Sequence, residues 1–387
     1  MTRSLCRVAI SAVAILVPLL FADQASAFPQ WQLTSGSARC NQCHYAPAGG
    51  GPLNGFGRDA AGDQLSTFES NGDLLYGAIS LPTWLSLAGD FRGAFVAHDV
   101  QDPAGPTVAA FPMQADLHAR VAAGGWSLGG TIGFRGQVRD PDVAVPLQNY
   151  QPVSTSRLIS REHYLQWQPE AIGPYVRVGR FFAPFGLRLA EHVLYIRRDL
   201  GFGLLQETYN VSGGFVYERA ELHLTLFGPD FVRHMGSDEK GFAGYLETRH
   251  LDDRVVVAGQ MRLAASPGVT KFNVGAVGKA YLENLRTLFL AELDVVQWIF
   301  DDVANTTRQQ ILGVGGLAIL PTKGLVVTLL GEHNQADIQI PNSWTAATAL
   351  VNWFPVAHFD LQLMGRLQFP SGGDVARTLF LQAHYFL

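Results

Sequence analysis

Charge is scarce in this 387-residue chain: Asp, Glu, Lys and Arg make up 16% of it, against about 25% in soluble domains. Mean hydropathy is +0.11, high for a chain without a spanning segment. Basic residues are in deficit, 28 against 33 acidic, and form no patch, which argues against a nucleic-acid partner. Past residue 27 no apolar run is long enough for a spanning helix. The nearest, Ile311 to Gly331, is broken by the turn residues Pro321-Thr322-Lys323-Gly324. No Ser/His/Asp arrangement, Walker loop or H-E-x-x-H is found, so hydrolase and nucleotide chemistry have no foothold. Cysteine is nearly missing, with Cys6, Cys40 and Cys43 alone in the chain.

The beginning of the chain carries export signals. Arg3 and Arg7 make a positive n-region, Val8 to Phe21 is apolar, and Ala25-Ser26-Ala27 offers an A-x-A cleavage site. Residues 1–27 are therefore expected to be a signal peptide that takes Cys6 with it. Losing Arg3, Arg7 and Asp23 turns 28 basic and 33 acidic residues into 26 and 32, a net charge of −6.

The two cysteines that remain stand in Cys40-Asn41-Gln42-Cys43-His44, and C-x-x-C-H is the attachment pattern of a c-type haem. Two thiols add across the porphyrin vinyl groups, and the adjacent His offers a ring nitrogen to the iron. A disulfide or a thioredoxin-type pair would use the same cysteines, but His44 and the lack of a βαβ pattern argue against both. Zinc would need two further soft ligands nearby, and there are none. The reading is one covalent haem c on Cys40 and Cys43, with His44 as axial ligand.

The segment 28–83 is short for a cytochrome core and rich in breakers: Pro47, Gly49-Gly50-Gly51, Pro52, Asn54-Gly55 and Gly57. A short helix with Asp63 as N-cap is expected over Asp63 to Asn71. The segment reads as a haem clasp that packs against or plugs something larger. Its sole histidine is His44 and it has no Met, so a second strong axial ligand has to come from elsewhere, with Tyr45 a weak local donor and an open iron the remaining option. Candidates on later strands are His98, His118 and Met364, with His223, His358 and His384 behind them. For each, an ordinary wet polar position is the commoner explanation.

From Trp84 onward the pattern is period-2 alternation, segment after segment. His358, Asp360, Gln362, Met364 and Arg366 share one face, with Phe359, Leu361, Leu363, Gly365 and Leu367 on the other. Gln114, Asp116, His118 and Arg120 oppose Leu117, Ala119 and Val121 in the same way, as do Gln260 and Arg262 against Val257, Met261 and Leu263. Polar-in, apolar-out strands of about ten residues are the signature of a transmembrane β-barrel. About sixteen antiparallel strands fit in 84–387. Long connections (Val100–Thr107, Arg139–Arg157, Phe182–Tyr209, Pro229–Lys240) alternate with short ones such as Ala122–Gly125 and Phe354–Ala357. In bacterial barrels the short turns face the periplasm, which would put both ends of the barrel, and the haem segment, on that side or within the lumen. Asp90, Arg92, Asp116, Arg120, Arg135 and Arg177 would face inward, most simply as salt-bridge ladders. The loop carboxylates Asp140, Asp142, Asp238 and Glu239 are expected to keep loops solvated.

With its signal peptide, early Cys40-x-x-Cys43-His44 and sixteen-strand barrel, the chain resembles the outer-membrane fused cytochrome–porins, whose characterised members are iron oxidases. That resemblance implies an iron:cytochrome oxidoreductase-like conduit in a Gram-negative outer membrane, taking electrons from an extracellular donor such as Fe(II) to a periplasmic cytochrome. Val178-Gly179-Arg180-Phe181-Phe182-Ala183-Pro184-Phe185-Gly186 also looks like a phrase of the phosphate-selective porins and marks barrel ancestry. The alternative class is a diffusion porin whose haem segment is a plug or redox gate.

Overall fold

The computed structural model describes residues 39–99, 106–134, 158–191, 193–203, 206–231, 238–301, 304 and 306–387. The expected signal peptide with Cys6, the loop Arg139–Arg157 with Asp140 and Asp142, and Arg135 lie outside them.

Alternating strands need a partner edge on both sides, and closure into a cylinder removes every free edge. The strands are β1 (Leu85–Asp99), β2 (Thr107–Ala123), β3 (Trp126–Phe134), an interrupted β4 (Leu158–Ile159 and His163–Trp167) and β5 (Gly173–Phe181). They continue through β6 (Thr208–Val216), β7 (Ala220–Gly228), β8 (Lys240–His250), β9 (Val255–Ser266), β10 (Val269–Leu282) and β11 (Thr287–Phe300). The wall is completed by β12 (Thr307–Thr322), β13 (Leu325–Asp337), β14 (Asn342–Trp353), β15 (Phe359–Pro370) and β16 (Ala376–Phe386). Both pieces of β4 pair with β3. Each strand pairs antiparallel with its sequence neighbours, and β16 returns to β1 from Asp90↔Phe386 to Asp99↔Arg377. The fold is thus a closed sixteen-stranded antiparallel barrel.

Alternation maps onto inside and outside. On β9, Val256, Ala258, Gln260, Arg262 and Ala264 are buried while Val257, Met261 and Leu263 are exposed. On β2, Asp116 is fully buried and Leu117 and Val121 stand outside. Such an apolar exterior is far larger than the patches that soluble monomers tolerate in water, and it suits lipid. No described helix is long and apolar enough to cross a membrane; the strands make the crossing.

Short turns gather at one end of the cylinder, from Gly124-Gly125 to Lys323-Gly324. Both the start of β1 and the end of β16 lie there. At the opposite end the long connections belong to the first half of the barrel, 100–106, 135–157, 182–207 and 229–239. Later loops at that end are brief, with only Pro267-Gly268 between β9 and β10.

The segment before β1 sits on the short-turn end. It holds α1 (Cys40–Cys43), α2 (Gly55–Asp59) running into a π turn (Ala60–Gln64), and a 3-10 turn (Leu74–Gly77). The expected helix from Asp63 is thus displaced toward the N-terminus, because Asn54 is the better cap: its side chain accepts from Gly57 N at 3.0 Å. Thr67 N and Phe68 N donate to the carbonyls of Phe354 and Pro355, each at 2.8 Å. Leu65 is fully buried against Leu320, Val326 and Phe354. His358 does not continue β15 as expected: the strand starts at Phe359, and His358 takes φ 67° with its Nε2 at 2.9 Å from Asp73 O.

Candidate cofactor site in the barrel lumen

One helical turn carries the motif. Residues three apart share a helix face, so the four-residue turn Cys40–Cys43 presents both thiols to the same side. His44 leaves the turn extended, at φ −116° and ψ 151°, and pairs with Leu53 across a short bridge. The intervening loop folds under the motif. Gly49 (φ 80°) lies so close that a Cβ there would meet Cys40 Cβ at 3.1 Å. At Gly57 a Cβ would stand 2.2 Å from the Cys43 carbonyl oxygen, so only glycine lets α2 pack on α1.

The imidazole of His44 is aimed by its backbone. Nδ1 lies 3.3 Å from Gly51 O, and since a carbonyl can only accept, Nδ1 carries the proton and Nε2 keeps its lone pair. Metal-bound histidines are held in this way. Burial pushes the His44 pKa below its ordinary value, favouring the neutral ring that a metal requires. Burial likewise raises both thiols, Cys43 to about 11. No disulfide joins the two cysteines.

The barrel wall holds this unit in register. Asn41 Nδ2 donates to Ala171 O in the β4–β5 turn. Ser86 Oγ donates to Tyr45 OH at 3.0 Å, Gln166 Nε2 reaches Tyr45 O at 3.3 Å, and the Arg120 guanidinium lies 4.2 Å over the Tyr45 ring. Arg58 Nη2 donates to Leu87 O at 3.1 Å. From above, Arg188 donates to Ala48 O and lies 3.3 Å from Cys40 Sγ.

Arg188 belongs to the connection 182–207, which turns into the lumen. Its backbone donors find the wall: Gly186 N to Gln260 Oε1 and Leu187 N to Glu292 Oε2, each 2.7 Å, and Tyr195 N to Glu332 Oε1 at 2.8 Å. Leu187, Leu189, Leu194, Tyr195, Ile196 and Leu200 are buried there. Its aromatic rings stack, Phe185 on Phe202 with centroids 5.3 Å apart. Sequence reasoning treated this stretch as an ordinary long loop. The signal that would have found it is its own composition, since Phe181 to Ala190 is too apolar to face water.

Loop above and segment below enclose a cavity of about 480 Å3, within the roughly 300–1,000 Å3 typical of ligand and cofactor sites. Cys40, Cys43 and His44 all line it, with Phe182, Phe185 and Phe202 as an apolar roof. Arg92, Arg177, Arg188 and Lys279 line the same walls, interleaved with Asp90, Glu162, Glu247 and Glu292. The donor set fits a covalent haem c: two thiols on one face, an imidazole that carries its proton on Nδ1, and apolar cover for a macrocycle.

Of the candidates for a second axial ligand, His118 lines this cavity. His98 does not: it lies at the far end of β1 with Nδ1 2.8 Å from Thr378 Oγ1. Met364 is buried in the apolar cluster between loop and wall rather than at the cavity. His223 is away from the cavity, with Nδ1 bonded to Tyr175 OH at 2.6 Å and Nε2 3.3 Å from Glu221. His384 reaches the cavity but faces Asp90 at 3.2 Å. Inward charges pair as ladders: Asp90 with Arg92 and Asp116 with Arg161 at 2.8 Å, and Arg177 with Glu162 at 3.2 Å. Glu239 departs from the solvated role expected of it. It is buried between Arg262 at 2.5 Å and Lys271 at 2.8 Å. No group of three His, Cys, Asp or Glu side chains is arranged for a metal ion among the described residues.

No protein-family profile matches the sequence, and no curated protein matches it. Solved structures do match in shape. The anion-selective porin from Comamonas acidovorans aligns with 78% of this chain and 99% of its own, at TM-score 0.60 and 8% identity. Pseudomonas putida OprB aligns with 79% of this chain and 94% of its own, at TM-score 0.61 and 9% identity. For Vibrio cholerae OmpT the shares are 80% and 100%, at TM-score 0.55 and 10% identity. At such identities the likeness is one of fold, and that fold is the outer-membrane porin barrel.

Proposed function

We propose that this chain is an electron conduit of a Gram-negative outer membrane: a monohaem cytochrome c built into a porin barrel. It takes electrons from an extracellular reduced species, such as Fe(II), and delivers them to a periplasmic cytochrome or similar carrier. The observation that carries the reading is that Cys40, Cys43 and His44 all line one lumen cavity roofed by an inward loop. When bound, a c-type haem supplies one-electron exchange at a potential set by its axial ligands.

The chain's own residues supply the rest. Cys40 and Cys43 would tether the group, and His44 Nε2 would face the metal. Arg188, Arg177 and Lys279, each beside a wall carboxylate, would line the edge of the group. Phe182, Phe185 and Phe202 exclude water, which keeps electrostatic interactions in the cavity strong. A barrel's apolar band is about 25 Å tall, too far for a redox group on one rim to serve the other. A site inside the lumen shortens both hops, with the wall as an insulating sleeve. The short-turn end, expected to face the periplasm, would be the exit.

A second reading, favoured by the fold comparisons, is a diffusion porin whose N-terminal segment acts as a plug or gate. Two measurements separate the readings. Purified protein mixed with Fe(II) is expected to show the absorption change of haem reduction; no change at any accessible pH overturns the conduit. Planar-bilayer recording of the haem-loaded protein is expected to be electrically quiet, and large open-pore currents would favour the porin.

A further inference from the structure

Two histidines line the same lumen cavity, and each has a hydrogen-bond partner at Nδ1. His44 is held through Nδ1 by Gly51 O at 3.3 Å. His118 is held through Nδ1 by Thr131 Oγ1 at 2.9 Å. The His44 ring is held by the backbone of Gly51 and Gly50, and the one hydrogen bond of the His118 ring among the described residues is that to Thr131, at Nδ1. We propose that His118, on the wall strand β2, is the second axial ligand to the iron that His44 binds from the plug. The inference rests on the conduit reading above.

Register supports it. Arg120 on β2 lies over the ring of Tyr45, the residue that follows His44. His118 stands two residues along on the same face, about 7 Å further up the strand at about 3.3 Å per residue. The contact that docks the plug therefore also fixes where His118 stands relative to the motif. Thr131 has the chemistry the role requires, because its hydroxyl can accept from Nδ1–H and leave the Nε2 lone pair for a metal. The other imidazoles are occupied or elsewhere. His163 has partners at both nitrogens, His223 is bonded to Tyr175 and lies outside the cavity, His384 faces Asp90, His358 is bonded to the Asp73 carbonyl, and His98 lies outside the cavity.

A ligand divided between plug and wall has a structural consequence. Iron ligation would bridge the N-terminal segment to the barrel, so haem loading would fasten the plug.

The test uses full-length, haem-loaded protein in detergent, with covalent haem measured as the pyridine haemochrome and barrel folding checked by the heat-dependent shift in gel mobility. Wild type is expected to give the resonance Raman and EPR signatures of a six-coordinate, low-spin bis-histidine haem. His118→Gly is expected to become high-spin at unchanged haem content and to return to low-spin on addition of imidazole. His118→Met is expected to stay six-coordinate at a raised midpoint potential. His98→Ala is expected to leave the spectrum as in wild type. A five-coordinate wild type, or a His118→Gly protein that keeps the bis-histidine spectrum at full haem content, overturns the assignment. Wild type without covalent haem overturns the conduit reading instead. The wild-type spectrum alone decides if the variants do not fold.

Discussion

Arg188 is the strongest single tie between the inward loop and the cysteine motif, and its removal gives a quantitative prediction. The guanidinium donates to Ala48 O, a charge-assisted bond whose loss costs about 2 kcal/mol. It also lies 4.7 Å from the Tyr245 ring centroid, a contact worth about 1 kcal/mol. Glu221, 3.8 Å from Arg188, keeps Arg249 as a partner, so no buried carboxylate is orphaned. The Tyr245 contact joins the loop to the wall, so only the Ala48 bond counts: Arg188→Ala should weaken plug docking by about 2 kcal/mol, on the order of thirtyfold in the opening equilibrium. The backbone adds an internal control. Residue 188 sits at φ 56°, which costs an L residue about 1 kcal/mol that glycine avoids. Arg188→Gly should thus open less than Arg188→Ala, although both lose the same side chain. Hydrogen exchange of amides between Cys40 and Asn54, referenced to mid-strand amides of β9 and β10, measures the opening. Protection in Arg188→Ala equal to wild type would refute the clamp, and Gly opening more than Ala would refute the strain argument.

Other expectations follow from the same geometry. Cys40→Ala with Cys43→Ala should abolish haem staining of denatured protein while the heat-dependent mobility shift of the folded barrel persists; loss of both together would tie barrel assembly to the cofactor. Gln260→Ala with Glu292→Ala removes the acceptors for Gly186 N and Leu187 N, and bilayer conductance should rise severalfold as the loop leaves its seat; an unchanged current would mean that the loop does not set the pore. Gly49→Ala places a Cβ 3.1 Å from Cys40 Cβ at φ 80°, costing about 1–2 kcal/mol, and the covalent haem yield per barrel should fall; an unaltered yield would show that the loop yields freely. In the haem-free double Cys variant, burial holds the His44 pKa below the ordinary 6.5, so the unfolded plug binds the proton more readily than the docked one. Its stability contribution is complete above about pH 6.5 and is lost as pH falls toward the lowered value. His44→Asn should flatten that dependence of plug exchange, and an unchanged slope would assign it to another group.

Legibility followed the range of the interactions. Inside and outside could be read along β2, β9 and β15 because side chains alternate by pleat, a local property. The motif could be read because the thiols and imidazole it brings together are adjacent in the chain. The helix in the N-terminal segment was misplaced because two capping residues, Asn54 and Asp63, offered similar local chemistry. The packing of Gly57 on Cys43 and of Leu65 on Phe354 favoured the earlier one. His358 left its expected strand because the carbonyl of Asp73, distant in sequence, gave its ring a partner.

Composition, period and the one Cys-x-x-Cys-His were enough to establish an antiparallel barrel with a candidate haem attachment point, since each depends on neighbours along the chain. Tertiary structure alone decided that the loop 182–207 folds inward, that Arg188 bridges it to Cys40, and that His118 rather than His98 or Met364 shares a cavity with His44. The reason is physical: those relations join residues scores of positions apart, and their geometry exists only once the cylinder has closed and its strands have taken their register.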